Sequence, residues 1–119
     1  MPGAYWIAHV TVTDEEAYGR YAKLAGEAIA AHGGKFLARG GQAIQKEGRA
    51  HARNVVALFP SLEAANACYE SATYQEALSH ARGASERDLV LVEAADGVPS
   101  RARASLAASS GPGMLTAGG

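Results

Sequence analysis

The sequence predicts an α+β domain in which helices cover one face of a four-stranded antiparallel sheet. Three observations support this prediction. Short runs of β-forming residues stand near both ends of the first 95 residues, a long segment with helical spacing follows the first run, and two serine caps introduce a second helical region. Taken in chain order, the segments follow β-α-β-β-α-β, which is the ferredoxin-like or split βαβ plan.

The first strand and the first helix have clear local signals. The stretch "YWIAHVTV" (5–12) is rich in β-formers, and both sets of alternate residues are largely apolar, so we expect both faces of this strand to be covered. Thr13 with Glu16 fits a capping box, and apolar residues then recur at helical spacing. We predict a helix over about 14–32 that ends at Gly33–Gly34, where glycine can take the left-handed conformation.

Two glycine pairs enclose the next predicted strand, "KFLAR" (35–39). The second pair, Gly40–Gly41, falls in an extended region, where glycine usually marks a bulge or a close approach of another backbone or a ligand. The stretch after it is interpreted as the rest of the same strand, a turn near Gly48, and a further strand over about 52–59.

The last elements are two short helices and a strand. Ser61 caps the first helix after a proline, Ser71 caps the second, and "RDLVLVEA" (87–94) is the final strand. The sheet face away from the helices would then carry Ile7, Leu37 and Leu91. Since such a face is too apolar to leave in water, we expect two copies to pack sheet against sheet as a homodimer.

Composition bounds the class of protein. We assign residues 1–96 to the domain and 97–119 to a flexible tail, because the latter is rich in Gly, Ala and Ser and lacks apolar periodicity. The net charge of −1 gives no basic field for nucleic acid, and no run of residues is long and apolar enough to cross a membrane. A single cysteine, Cys68, and the absence of a signal-peptide pattern predict a cytoplasmic protein.

Four stretches carry a family resemblance: "AYWIAHVTVTDEEAYGRY", "IAAHGGKFLARGG", "FPSLEAANACYES" and "YQEAL". They resemble the bacterial family known as domain of unknown function 1330, within the dimeric α+β barrel superfamily, over residues 4–95. The resemblance implies a ferredoxin-like protomer and a barrel-like dimer with a cleft in each subunit. It implies no established reaction, since superfamily relatives include cofactor-free monooxygenases, lactone isomerases, heme-dependent enzymes and plain ligand-binding domains. Where relatives often have Ser-Pro-x-Tyr, this chain has Ser71-Ala72-Thr73-Tyr74.

His9 and Arg39 are the predicted catalytic residues. His9 stands in the middle of the first strand, on the face assigned to the dimer cleft, where an imidazole could act as a general base. If the next strand alternates in the same way, Arg39 shares a face with Leu37 and points into the same cleft, where a guanidinium could clamp a carboxylate or enolate. The alternatives are a hydrogen-bonded core histidine and an arginine paired with Glu47 or Glu93.

Tyr69, Tyr74 and Arg82 are the predicted substrate-binding residues. The two tyrosines flank the break between the short helices and could orient and stack on a ligand, although such spacing is more often typical of a core. Arg82 could line the rim of the pocket or simply be solvated. The four histidines stand on separate elements without metal-ligand spacing, so we expect no metal and no cofactor.

Three functions stay open at this point. The dimer could be a cofactor-free enzyme, acting on a small acidic or aromatic metabolite by isomerisation, decarboxylation or oxygenation. It could instead bind a small molecule without chemistry, or serve as an accessory subunit. In the third alternative, His9 and Arg39 are both occupied in the dimer interface and no open pocket exists.

Overall fold

A computed structural model describes residues 2–95 of the chain and shows the predicted α+β fold. Its elements are β1 (Ala4–Val12), α1 (Glu15–Ala31), β2 (Lys35–Arg39), β3 (Arg53–Phe59), α2 (Leu62–Glu70), α3 (Ala72–Ala81) and β4 (Ser85–Glu93). The strands form one antiparallel sheet in the order β2-β3-β1-β4. The expected β-α-β-β-α-β order is confirmed, with its last helical region split in two. The predicted tail, 97–119, lies outside the described residues.

The alternate residues of the central strand β1 show that the two faces of the sheet differ in burial. Ala4, Trp6, Ala8 and Val10 point towards the helices and are buried, as alternation along a strand requires. Trp6 anchors this core: its ring stacks on Phe59 at 5.5 Å between centroids. The other set of alternate residues belongs to the face that no helix covers.

Several local predictions need correction. Asp14, not Thr13, caps α1, and its carboxylate accepts a hydrogen bond from the backbone N–H of Ala17. Residues 41–50 form no strand, because β2 already ends at Arg39. The predicted cap at Ser71 is confirmed: its hydroxyl accepts from the backbone N–H of Tyr74 and donates to the carbonyl of Cys68.

A bulge in β2 overturns the expectation that Arg39 shares a face with Leu37 and His9. Phe36 pairs with Ala57, but Ala38 pairs with Val56, so one extra residue stands between them. The bulge reverses the alternation that follows it, and Arg39 pairs with Val55 on the helix-covered face. His9 points to the opposite face.

The uncovered face, here called the open face, includes Tyr5, Ile7, His9, Val56, Val90 and Val92. The placement of Leu91 on this face was wrong, since Leu91 pairs with Trp6 and points to the helices. Val90 and Val92 take its place and are 53% and 43% exposed. The alternation of β4 alone could not decide which of its two faces points to the helices, because apolar residues occupy both faces.

Gly34, just after α1, leaves no room for a side chain. A Cβ there would lie 2.6 Å from Cγ2 of Ile29 and 2.8 Å from two ring atoms of Phe59, and both residues are buried. We therefore expect Gly34→Ala to lower the free energy of unfolding by roughly 1–3 kcal/mol, because the core must shift to admit the methyl group. Urea unfolding followed by circular dichroism measures this change.

Gly19, inside α1, supplies the matched control. A Cβ at this position meets nothing within 4 Å. Gly19→Ala should raise the free energy of unfolding by about 0.8–1 kcal/mol, as alanine is the better helix former. Equal effects of the two substitutions would contradict the close packing described around Gly34.

Candidate functional site

A cleft between α1 and the helix-covered face of the sheet is the candidate site. It contains about 380 Å³ of space not filled by protein, part of it open to solvent. The centre of a water-sized molecule can occupy only about 30 Å³ of it, so the walls lie close together. The lining is mostly apolar and aromatic with three arginines: Trp6, Ala8, Tyr18, Tyr21, Ala22, Ala25, Gly26, Ile29, Phe36, Arg39, Arg53, Val55 and Arg87.

The sheet register brings the three arginines together. Arg53 on β3 and Arg87 on β4 both pair with Val10 of the central strand, so they stand in one row across the sheet. Arg39 reaches the same face through the β2 bulge. Three strands that are distant in sequence thus contribute one cation each to a single cleft.

Arg87 forms a closed triangle with two tyrosine hydroxyls. Its Nη2 donates to the oxygen of Tyr21 at 2.7 Å and its Nη1 to that of Tyr74 at 3.3 Å, while the two hydroxyls lie 2.7 Å apart. One of the two tyrosine hydroxyl protons forms the hydrogen bond between the tyrosines. The second hydroxyl proton has no acceptor within the triangle. Nε of Arg87 is also buried without a hydrogen-bond partner. The triangle therefore has donors to offer an acceptor from a ligand.

Burial keeps this triangle in defined protonation states. It is the main cause that raises the pKa of Tyr21 and that of Tyr74 above the ordinary value, so both are neutral hydroxyl donors near pH 7. Burial alone would lower the pKa of Arg87, but the two tyrosine oxygens beside it more than offset this, and its pKa lies above the ordinary value. The centre of the site is a cation with neutral donors.

The guanidinium group of Arg53 lies where a side chain on residue 40 would stand, so the position requires glycine. A Cβ on Gly40 would lie 2.5 Å from Nη1 of Arg53, and Gly40 also has a left-handed φ of +74°. The group that approaches this glycine is thus a side chain, whereas another backbone or a ligand was expected there. The guanidinium carbon of Arg53 lies 6.0 Å from the centroid of the Tyr18 ring, and its Nε is buried without a partner.

Arg39 lies across the mouth of the cleft. Its guanidinium stacks over Phe36 at 4.1 Å and reaches α1 at Gly26, where a Cβ would lie 3.4 Å from Nη2. The residue is exposed, in contrast to the two deeper arginines.

No acid neutralises these cations within residues 2–95. The salt bridges there join Arg20 to Glu16 and His51 to Asp88, and no carboxylate lies within 4.0 Å of any cleft arginine. The lining also lacks an imidazole and a thiol. Cys68 is buried in the core, and burial raises the pKa of its thiol to about 11.

The predicted site residues separate into three places. Arg39 lines the cleft, whereas Tyr74 does not line it but accepts a hydrogen bond from Arg87, which does. His9 is exposed on the open face, where its Nδ1 lies 2.7 Å from Oδ1 of Asn54. The expectation that His9 and Arg39 face one cleft is therefore wrong: the sheet stands between them.

Tyr69 and Arg82 line a neighbouring groove between α2, α3 and β4. Arg87 lines both this groove and the cleft. The Tyr69 ring packs against Tyr74 at 5.3 Å between centroids and contributes to the aromatic core. Neither Tyr69 nor Arg82 lines the arginine cleft itself.

Sequence reasoning missed Arg53, Arg87, Tyr18 and Tyr21. One signal was present in β4: Arg87 alternates with Leu89 and Leu91 on the same face of the strand. A cation therefore stands on an apolar face that points to the helices. Tyr18 and Tyr21 belong to the residues whose helical spacing predicts α1; they lie three residues apart on one side of the helix, a spacing that is typical of a core. No pattern in the sequence around Arg53 predicted that this residue lies in the cleft.

An antiparallel four-stranded sheet with helices on one face and a cationic cleft beneath them defines a ferredoxin-like small α+β protein. The chain belongs to the family named Domain of unknown function (DUF1330), whose model matches residues 3–95. This bears out the resemblance noted in the sequence. No functionally curated protein matches the chain.

Solved structures share the fold at low sequence identity. RPA0582, a protein of unknown function from Rhodopseudomonas palustris, is 20% identical with a TM-score of 0.63 over 80% of this chain and 84% of that one. SnoaB, a cofactor-independent oxygenase from Streptomyces nogalater, is 12% identical with a TM-score of 0.58 over 83% and 99%. A possible oxidoreductase of unknown function from Bacteroides thetaiotaomicron VPI-5482 is 14% identical with a TM-score of 0.55 over 78% and 98%.

None of the helices within 2–95 is long and apolar enough to cross a membrane. In the same range, no three side chains of the His, Cys, Asp or Glu types lie close enough together to hold a metal ion.

Proposed function

We propose that the cleft binds a small organic anion, with Arg87 as the central contact. The observation that carries this proposal is the set of three arginines in one cleft with no carboxylate within 4.0 Å among residues 2–95. Arg53 and Arg87 are partly buried, and a cation that is partly removed from water is stabilised by an acidic partner. An anionic ligand supplies the missing partner.

The chemistry of the lining favours an acidic metabolite with an apolar or aromatic body. Arg87 and the spare tyrosine hydroxyl can donate to the oxygens of a carboxylate, enolate or phenolate. Trp6, Tyr18 and Phe36 supply the apolar wall. A few convergent polar groups in an apolar cleft are typical of small-molecule sites.

Catalysis is the second candidate, and it depends on the neutral tyrosines. Tyr21 and Tyr74 with Arg87 could stabilise an anion that develops during isomerisation, decarboxylation or cofactor-free oxygenation. The likeness to SnoaB shows a shared fold only. The lining lacks an ordinary general base, and His9 lies across the sheet, so such a substrate would have to enter already ionised.

Calorimetric titration with benzoate and benzamide tests the binding proposal. The two molecules share their ring and differ in the charge of one group, so charge recognition predicts saturable binding of benzoate and none of benzamide. Binding of benzoate should weaken as salt is added, because the arginines are partly exposed. Saturable binding of the acid and the amide with equal affinity would refute a site built for an anion.

We further propose that a second copy of the chain covers the open face. This face combines Ile7, Val56, Val90 and Val92, and no element of residues 2–95 packs over it. Contiguous exposed apolar surface usually belongs to an interface. A two-fold interface would pair the same surface on both copies.

Val90→Asp should convert the proposed dimer into a folded monomer. Val90 lies opposite Ile7 and is half exposed, so a carboxylate there costs little in an isolated subunit but would be buried in the interface. Light scattering after size-exclusion chromatography measures the mass. Leu62→Asp, at an exposed apolar residue of α2, is the control and should remain dimeric. A monomeric unmodified chain would contradict the proposal.

A further inference from the structure

We infer that the ligand carries two acid groups, one bound at Arg87 and one at Arg53. This inference rests on the proposed function and narrows it to short or aromatic dicarboxylates. Its basis is that both arginines have a buried Nε with no hydrogen-bond partner, and that they stand apart in the same cleft.

The sheet register fixes the separation of the Cα atoms of the two arginines. Arg53 and Arg87 flank Val10 from opposite sides, so their Cα atoms are two strand spacings apart, about 10 Å. Both side chains point to the helix-covered face. One carboxylate cannot easily satisfy two guanidinium groups that start this far apart, whereas two carboxylates on one short molecule can.

The helix α1 provides a separate aromatic partner for each arginine. Tyr18 lies beside Arg53, with 6.0 Å between the ring centroid and the guanidinium carbon, and Tyr21 lies beside Arg87 at 4.7 Å. The two rings contact each other at 4.9 Å between centroids. The cleft therefore has a cation at each end and an aromatic wall between them, which matches a molecule with an acid group at each end of an apolar body.

The two ends also differ in how the cation is held. Arg87 already donates two hydrogen bonds to the tyrosine hydroxyls, whereas the side chain of Arg53 makes no hydrogen bond or salt bridge with any other residue of 2–95. A buried N–H without an acceptor is destabilising, so each Nε favours its own acceptor. Arg39 is exposed at the mouth, and water satisfies its charge.

Calorimetry with matched acids tests the inference. Isophthalate should bind the unmodified chain at least about tenfold more tightly than benzoate, since a second charge-assisted hydrogen bond contributes about 1.5–3 kcal/mol. Arg53→Met should remove this difference by weakening the binding of isophthalate more than that of benzoate. Arg53→Lys, which keeps the charge, should retain part of the preference, and Arg82→Met, outside the cleft, should retain all of it.

The outcomes separate this inference from the proposed function. Equal affinity for isophthalate and benzoate would overturn the two-acid ligand while the anion site stands. Loss of the preference in Arg82→Met but not in Arg53→Met would also overturn it. If neither acid binds the unmodified chain, but glutarate does so more tightly than butyrate, the inference holds for a narrower, aliphatic ligand. Absence of binding by all four acids would contradict both proposals.

Discussion

Arg87→Met is expected to weaken benzoate binding roughly ten- to hundredfold without unfolding the protein. Hydrogen bonds to a charged group are worth about 1.5–3 kcal/mol, and about 1.4 kcal/mol corresponds to a tenfold change in affinity. The fold should tolerate the change because Arg87 contacts tyrosines and has no acidic partner in residues 2–95. The substitution therefore leaves no carboxylate unpaired, and the methionine side chain is apolar. Calorimetric titration gives the affinity and thermal unfolding checks the fold.

Arg82→Met is the matched control for this prediction. Arg82 is an exposed arginine close to the same strand, but it lines the neighbouring groove and not the cleft. Its loss changes the net charge equally and should leave benzoate binding within a factor of about two, as expected for a screened surface charge. If both variants lose the same affinity, general surface charge, and not the cleft, accounts for binding.

Trp6→Ala is expected to lower the free energy of unfolding by about 3–5 kcal/mol, a large part of the roughly 5–15 kcal/mol that stabilises a typical domain. Trp6 is 1% exposed, stacks on Phe59, and meets Tyr74 edge-on at 5.0 Å between centroids. Alanine would leave a cavity between the sheet and the helices. Urea unfolding followed by circular dichroism measures the change.

Leu62→Ala provides the comparison for Trp6→Ala. Leu62 is also apolar but is 39% exposed at the start of α2, so its truncation should cost less than about 1 kcal/mol. A similar loss in the two variants would contradict the central place of Trp6 in the core.

The fold was predictable because its signals are local. The caps at Ser61 and Ser71, the helical spacing of α1 and the glycines after it each act within a few residues. The element order then limits the sheet to few arrangements. The one wrong cap, Thr13 in place of Asp14, reflects two neighbouring residues that can both serve as caps.

The site was not predictable in the same way because it depends on register. Alternation placed Arg39 beside His9, and a single extra residue in β2 moved it to the other face. Arg53 and Arg87 lie in one row across the sheet because both pair with Val10 of β1. The residue pattern within β3 or within β4 does not predict this pairing. The inward phase of Arg87 with Leu89 was the one signal that sequence analysis could have used.

The measurement that tests the central claim most directly is a crystal structure of the protein with bound 4-bromobenzoate, located by the anomalous signal of bromine. The account predicts bromine density between α1 and the sheet, with the carboxylate on Arg87 and next to the tyrosine hydroxyls. Density on the open face beside His9, or in the groove lined by Tyr69 and Arg82, with the arginine cleft empty, would contradict it.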